Sequence, residues 1–494
     1  MAANVPSSAR PHRGVAEGEL RAATGPVRAV PLNEAIERPA LFWLLVAGLA
    51  WVPFWYGSND LIAWGVNAVL FPGLAILYEL SLLLRGDGHP IGIRRLAVPA
   101  ALFAAVVAFI GAQNLTFAPM PPLHPIWGMA ADVLERPLPA SVSVDRDLTA
   151  LALIRLITAA SVFWLALQLC RNAARARLLV KSIAAIGCLY AAYGIVAFTS
   201  QGARIPWLKI PPTGGFLSST FINRNSFATY AGISLVTICG LVLRLYRHEV
   251  GGAAGLWRLR MASFIETTGQ AGGALLGGAF VMLVALLLTG SRGGVLATAV
   301  GLFVLGVLTF KRGKHRSAWP IEGMIFGTVI IAAVLYFFAD AFVATLAERG
   351  IRDTDRMIVY SITLRSILDA PLLGFGYGTF ADVFPLYRDR SISVQGVWEQ
   401  AHGTYLEVFQ GLGLLFGSML VATAVLLVLR CIKGAAARQE NVTVPRIAAS
   451  AALLVGVHAL VDFSLQIQAV ALTVVALLGA GVAQSESSRL ALAD

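Results

Sequence analysis

The stretch LLGGAFVMLVALLLTGSRGGVLATAVGLFVLGVLTF, residues 275–310, decides the fold. Apolar residues run almost unbroken on both sides of Thr289-Gly290-Ser291-Arg292-Gly293-Gly294, and Arg292 is the single charge in the stretch. A bilayer core about 30 Å thick is crossed by roughly 20 residues of helix, because backbone groups left unpaired in hydrocarbon are costly. The pattern therefore predicts two membrane-crossing helices joined by a sharp turn.

The rest of the chain repeats this arrangement. Of 494 residues, 57% are hydrophobic and 13% charged, with a mean hydropathy of +0.74. An ordinary soluble chain is about a quarter charged. The fold class predicted is all-α, a polytopic membrane protein of about twelve transmembrane helices, near 40–57, 61–84, 96–117, 149–169, 178–199, 226–245, 272–290, 293–310, 320–343, 404–429, 445–463 and 465–483. Residues 1–39 are rich in Arg, Ala and Pro and lack the short apolar core and small-residue cleavage site of a signal peptide, so they are expected to form a flexible cytoplasmic tail. The transmembrane domain is then 40–484, with a second short tail at 485–494.

The net charge of +11 arises from short basic clusters between apolar runs rather than from one stripe, which argues for topology and against nucleic acid. Those clusters fall in alternate loops: Arg10 to Arg38, Arg85/Arg94/Arg95, Arg171/Arg175/Arg177/Lys181, Arg244/Arg247/Arg258/Arg260, Lys311/Arg312/Lys314/Arg316 and Arg430/Lys433/Arg438/Arg446. Loops rich in Lys and Arg stay in the cytoplasm. The opposite loops, at 58–60, 118–148, 200–225, 290–293, 344–403 and 463–466, are then extracytoplasmic. The loop at 344–403 is far longer than a usual connection, and its aromatic content, including Phe375, Tyr377, Phe384 and Trp398, predicts folded structure. Cys170, Cys188, Cys239 and Cys431 all lie in or beside apolar segments, with no spacing that suggests a disulfide framework or a metal site.

Cations on the outer side are exceptions to this rule and so draw attention. Arg224 stands in Phe221-Ile222-Asn223-Arg224-Asn225, Arg292 in its glycine turn, and Arg349, Arg352, Arg356, Arg365, Arg388 and Arg390 in the long loop before His402. Glycines beside a guanidinium let backbone amides and the arginine fork approach a phosphate together. Arg349, Arg388 and Arg390 have a simpler explanation, reaching for lipid headgroups, and Arg224 has the alternative of holding a loop through Asn223 and Asn225. His124 and His402 are the two histidines placed in outer loops. His458 and Asp462, four apart, are expected to pack rather than to act as a catalytic pair. Asp353-Thr354-Asp355 looks like a metal-binding carboxylate pair of nucleotide-sugar enzymes, but nucleotide sugars are cytosolic, so these carboxylates are expected to pair with Arg352 and Arg356. Neither a Gly-Lys-Ser/Thr phosphate loop nor a His-Glu-x-x-His zinc site occurs.

Taken in order, the polar segments resemble the O-antigen ligase and O-antigen polymerase superfamily of bacterial envelope enzymes. The resemblance rests on Phe221 to Ala228, on Thr289 to Gly294, and on Arg356 followed by Ala370-Pro371-Leu372-Leu373-Gly374-Phe375-Gly376-Tyr377-Gly378. It continues through Ala401-His402-Gly403-Thr404-Tyr405-Leu406-Glu407, Gly411 to Leu414, and Val457 to Phe463, so that it spans about 210–470. Gly403 departs from the family, which usually has Asn or a similar polar residue there.

The resemblance implies a GT-C-like membrane glycosyltransferase of the bacterial inner membrane with its site facing the periplasm, needing no cofactor and no metal. It implies transfer of a glycan from an undecaprenyl pyrophosphate donor to a lipid A core or a growing polysaccharide. His402 would be the base, since an unperturbed imidazole titrates near about 6.5, and Arg292, Arg356 and Arg224 would hold the donor pyrophosphate. Ligase and polymerase are left equally open. A flippase for lipid-linked glycans, with Arg155 as its deeply placed charge, and a non-catalytic assembly protein are the alternatives from other classes.

Overall fold

A helix in hydrocarbon satisfies every backbone group internally, so apolar runs of sufficient length become helices whatever their side-chain pattern. The computed structural model describes residues 38–116, 124–200, 215–249, 266–310, 354–393, 397–438 and 440–486. The chain divides into residues 1–40 and a unit from Leu41 to Asp494, and the architecture below is that of the second.

Its helices are α1 (Pro39–Trp51), α2 (Leu61–Arg85), α3 (Ala97–Gln113), α4 (Ile126–Val133), α5 (Arg146–Leu169), α6 (Ala173–Thr199) and α7 (Arg224–Glu249), then α8 (Gly273–Leu288), α9 (Arg292–Phe310), α10 (Thr354–Asp369), α11 (Phe380–Tyr387), α12 (Thr404–Ala437), α13 (Thr443–His458) and α14 (Gln468–Ser485). Among the described residues, eight helices are long and apolar enough to cross a membrane: α2, α3 with its leading 3-10 turn, α5, α6, α7, α9, α12 and α14. The shorter apolar helices α1, α8 and α13 occupy three further expected spans. The expected span at 320–343 lies outside the described residues. The described residues are thus helical and without strands, as befits a multi-pass membrane protein.

Burial separates the centre of the bundle from its lipid-facing ring. The most apolar windows of α7 and α14 are each 83% buried, whereas those of the other long helices are 22–44% buried. Around α7 pack α6, α8, α9 and α13, and around α14 pack α5, α12 and α13. Outward-facing Val69, Leu84, Leu189, Phe280, Leu296 and Phe303 stay exposed, as suits a surface bathed in lipid tails.

Two expected spans are shorter than their apolar runs suggest. α1 stops at Trp51, and the chain turns through residues 52–57 until the Gly57 carbonyl meets the Ala469 amide at 3.1 Å. α13 stops at His458, where residues 459–463 turn away toward α14. The described part of the long loop is folded, as its aromatic content predicts. α10 and α11 enclose a small core of Val359, Ile362, Phe380, Phe384, Ile392 and Ala401, with Trp398 packed against it.

α12 is broken at Gly413, whose φ of 70° and ψ of 176° interrupt the helical path. The Leu372–Tyr377 segment is threaded into the break. Phe375 N donates to the Gln410 carbonyl at 3.0 Å, Gly376 N to Gly411 at 3.2 Å, and Leu414 N to the Pro371 carbonyl at 2.7 Å. From α3, Gln113 closes the clasp, its Nε2 donating to the carbonyls of Leu373 and Gly411, both at 2.8 Å. Backbone groups freed by the break thus find protein partners, the condition under which irregular backbone persists at membrane depth.

Candidate functional site

The starts of α7, α9 and α12 and the end of α13 meet at one end of the bundle. Their meeting point is the segment Val457–Phe463. Thr404, the first residue of α12, donates its N–H to the Ala459 carbonyl at 2.9 Å and its hydroxyl to the Asp462 carbonyl at 3.1 Å. The Tyr405 hydroxyl donates to the Gly456 carbonyl at 3.0 Å. From α7, Asn225 Nδ2 donates to Asp462 Oδ1 at 3.2 Å, and Thr229 Oγ1 lies 2.6 Å from His458 Nδ1. Asp462 Oδ2 accepts from both the amide and the hydroxyl of Ser464. His458 and Asp462 are both buried, and each is bonded to a different residue of α7, so they tie that helix to the turn.

Three of the residues expected to carry function border this segment. His402 stands in the left-handed region at φ 55°, a conformation costing a non-glycine residue about 1–2 kcal/mol. Its ring packs edge-on against Phe463, with centroids 5.1 Å apart, and against Trp398 at 5.7 Å. Its carbonyl accepts from the Tyr360 hydroxyl at 2.8 Å. Arg356, near the start of α10, reaches the Val461 carbonyl with Nη1 at 3.5 Å. Arg292 opens α9, is exposed, and makes no ion pair with any described residue. Its neighbour Gly293 lies directly against His458 and Val461.

Arg224 occupies a different position. Its guanidinium lies over the Phe216 ring at 3.7 Å and donates to the Thr289 carbonyl at 3.3 Å. It therefore braces the turn that carries Arg292, a geometry closer to the loop-holding alternative than to direct contact with a phosphate. Gly290, at φ 58°, brings that turn close enough for the stack, since a side chain there would meet Phe216 and Arg224.

Other candidates lie apart from this meeting point or are paired elsewhere. Arg365 forms an ion pair with Asp389 at 2.8 Å. Hydrogen bonds from Ser391 and Arg365 hold the Asp389 carboxyl well below the usual carboxylate range. Of the carboxylates expected to pair with Arg352 and Arg356, Asp355 is exposed and forms no ion pair with a described cation. Arg349, Arg352 and Asp353 lie outside the described residues. His124 packs edge-on against Phe375 of the glycine segment, centroids 5.3 Å apart.

Sequence reasoning passed over the polar group beneath His402. Glu407 Oε1 accepts from the Ala401 amide at 2.6 Å, and Oε2 accepts from Gln466 Nε2 at 2.6 Å. A carboxylate in the first turn of an otherwise apolar helix was the available signal. Its partner Gln466, 59 positions away, carried none.

A family profile described as O-antigen ligase matches residues 277–422. That range runs from within α8 to just beyond the break in α12 and contains Arg292, Arg356, His402 and Glu407; Arg224, His458 and Asp462 lie outside it. No curated protein matches the chain.

Proposed function

We propose that this chain belongs with the O-antigen ligases and polymerases, a reading that the O-antigen ligase match over residues 277–422 supports, and that it transfers a glycan from a lipid pyrophosphate donor to a sugar hydroxyl at the end of the bundle that carries His402. The observation that carries this proposal is the convergence of His402, Arg356 and the Arg292 turn on one segment, Val457–Phe463. A base and two guanidinium groups are what transfer from a pyrophosphate needs.

In this scheme the acceptor hydroxyl gives its proton to the His402 imidazole while its oxygen forms the new bond to the anomeric carbon. The bond from that carbon to the pyrophosphate oxygen breaks, and the electron pair leaves with the lipid pyrophosphate. Arg292 and Arg356 meet the charge growing there as bidentate, permanently protonated forks. Arg224 keeps the α8–α9 turn in place. A single in-line displacement inverts the anomeric configuration. The site faces the periplasm, the donor is an undecaprenyl pyrophosphate-linked glycan, and the acceptor is either a lipid A core sugar or a second lipid-linked chain.

A transport function draws less support. Its deep charge, Arg155, donates to the Gln466 carbonyl and stacks on Trp64 at 4.2 Å, so it serves a packing contact instead of lining a path.

The test is purified protein with an undecaprenyl pyrophosphate-linked oligosaccharide, scored for longer lipid-linked chains and for transfer to lipopolysaccharide core. Transfer by the wild type, reduced by about two to four orders of magnitude in His402→Ala, is expected. Undiminished transfer by a folded His402→Ala protein would remove the base assignment.

A further inference from the structure

His402 sits in a conformation that its own residue type does not favour, so something must hold it there. The Tyr360 hydroxyl on its carbonyl is one restraint. A second approaches through the preceding peptide, whose N–H, on Ala401, donates to Glu407 Oε1 at 2.6 Å. Glu407 lies one turn into α12, so the helix that begins just after His402 reaches back with a carboxylate to fix the peptide before it.

That carboxylate is itself fixed. Gln466 Nε2 donates to Oε2 at 2.6 Å, and Gln400, with its amide nitrogen facing the carboxylate, donates at 3.1 Å. The Gln466 main chain is held in turn by Arg155, which donates to its carbonyl and lies over the Trp64 ring at 4.2 Å. A half-buried carboxylate needs donors for both oxygens, and here each has at least one. The chain of contacts runs from Trp64 in α2 through Arg155 in α5, the turn before α14 and the first turn of α12 to the backbone of the His402 loop.

We infer that Glu407 is a positioning residue for His402: its carboxylate, held by Gln466, fixes the Ala401–His402 peptide and so aims the imidazole. This deepens the proposed function and rests on it for the catalytic consequence, while the restraint itself does not depend on any activity. In this role Glu407 acts through the peptide before His402.

Replacing Glu407 with Gln keeps an oxygen for the Ala401 amide but sets an amide nitrogen against Gln466 Nε2, donor against donor. Exchanging both residues, Glu407→Gln with Gln466→Glu, restores donor to acceptor. The expected result in the reconstituted transfer assay is that Glu407→Gln lowers kcat by about tenfold or more with donor KM changed by less than about twofold. The exchange is expected to recover kcat to within about threefold of wild type. Glu407→Asp, which keeps the charge but draws the carboxylate back by one methylene, is expected to lower kcat as well. If Glu407→Gln does not fold, Glu407→Asp carries the comparison.

A second measurement needs no turnover. Diethyl pyrocarbonate labelling of His402, followed by mass spectrometry of the intact protein in detergent, is expected to be at least about threefold faster in Glu407→Gln and to return toward wild type in the exchange. Wild-type kcat and labelling in both single variants would overturn the positioning role, as would a loss that the exchange fails to recover. Absence of transfer by the wild type would defeat the proposed function alone, and the labelling rates would still decide whether Glu407 holds the loop.

Discussion

A β-carbon built on Gly293 would lie 2.9 Å from Nε2 of His458. The imidazole has nowhere to go, because it is buried and its Nδ1 is bonded to Thr229 at 2.6 Å. Gly293→Ala is therefore expected to push the start of α9 away from α13 and to destabilise the protein by about 1–3 kcal/mol, the usual range for overfilling a packed interior. The measurement is the unfolding midpoint in detergent, and an unchanged midpoint would contradict this packing. Transfer is expected to fall too, since the displaced turn carries Arg292.

The Arg356 side chain and the turn that carries Arg292 approach the same segment from α10 and α9, two helices with no short connection between them. If both grip a pyrophosphate, a lysine in either place keeps the charge and loses the fork. A charge-assisted hydrogen bond contributes about 1.5–3 kcal/mol. Arg292→Lys and Arg356→Lys are each expected to raise donor KM by roughly 10- to 100-fold, at about 1.4 kcal/mol per tenfold. Steady-state kinetics with varied donor settles it, and wild-type KM in both would count against the clamp. Arg224→Lys is expected to act differently, lowering stability through the lost stack on Phe216.

How far the sequence reveals this arrangement depends on the kind of contact. Membrane-crossing helices announce themselves because hydrocarbon demands long apolar runs, and the runs at 272–290 and 293–310 match α8 and α9 closely. The polar segments could be placed at one end of the bundle by charge alone, which brought His402, Arg292 and Arg356 into consideration together. What stayed hidden is written in backbone and in close approach. Nothing in Gly374, Gly376 and Gly413 says that the first two thread into a break at the third, because those bonds join main-chain atoms. The bond from Arg224 to Thr289 and that from Gln466 to Glu407 join residues 65 and 59 positions apart, a pairing that a one-dimensional pattern does not contain.

The break in α12 gives a sharper test of the clasp. A β-carbon at Gly413 would collide with the Leu372 carbonyl, and φ of 70° disfavours any L side chain there. The obstacle is backbone held by the Leu414 amide on Pro371 and by Gln113 on Leu373, so it cannot swing aside. Gly413→Ala is expected to prevent the clasp from closing and to yield protein that is degraded or aggregates on extraction, visible as loss of the monodisperse peak in size-exclusion chromatography. Gln113→Ala, which removes one closing contact and leaves the backbone alone, is expected to give a folded protein with a lowered melting midpoint. A stable Gly413→Ala protein would show that the break is not needed.

Gly403 is the opposite case. It precedes the first residue of α12 in extended conformation, φ −154° and ψ 103°, the conformation of a helix N-cap, and it supplies no side-chain acceptor. The nearest atoms to an added β-carbon are Leu406 Cδ1 at 3.4 Å and the Leu460 carbonyl at 3.6 Å, ordinary contact distances. A β-carbon is therefore tolerated there, and an asparagine side chain carries an oxygen that can accept from the N–H of Tyr405 or Leu406. Gly403→Asn is expected to raise stability by a few tenths of a kcal/mol, the difference between Gly and Asn at an N-cap. Since the substitution leaves the Glu407 bond to Ala401 and the Tyr360 bond to His402 in place, transfer is expected to stay within about twofold of wild type. A large loss of kcat in a stable Gly403→Asn protein would mean that the missing side chain matters to the acceptor itself, with the space beside His402 reserved for a sugar.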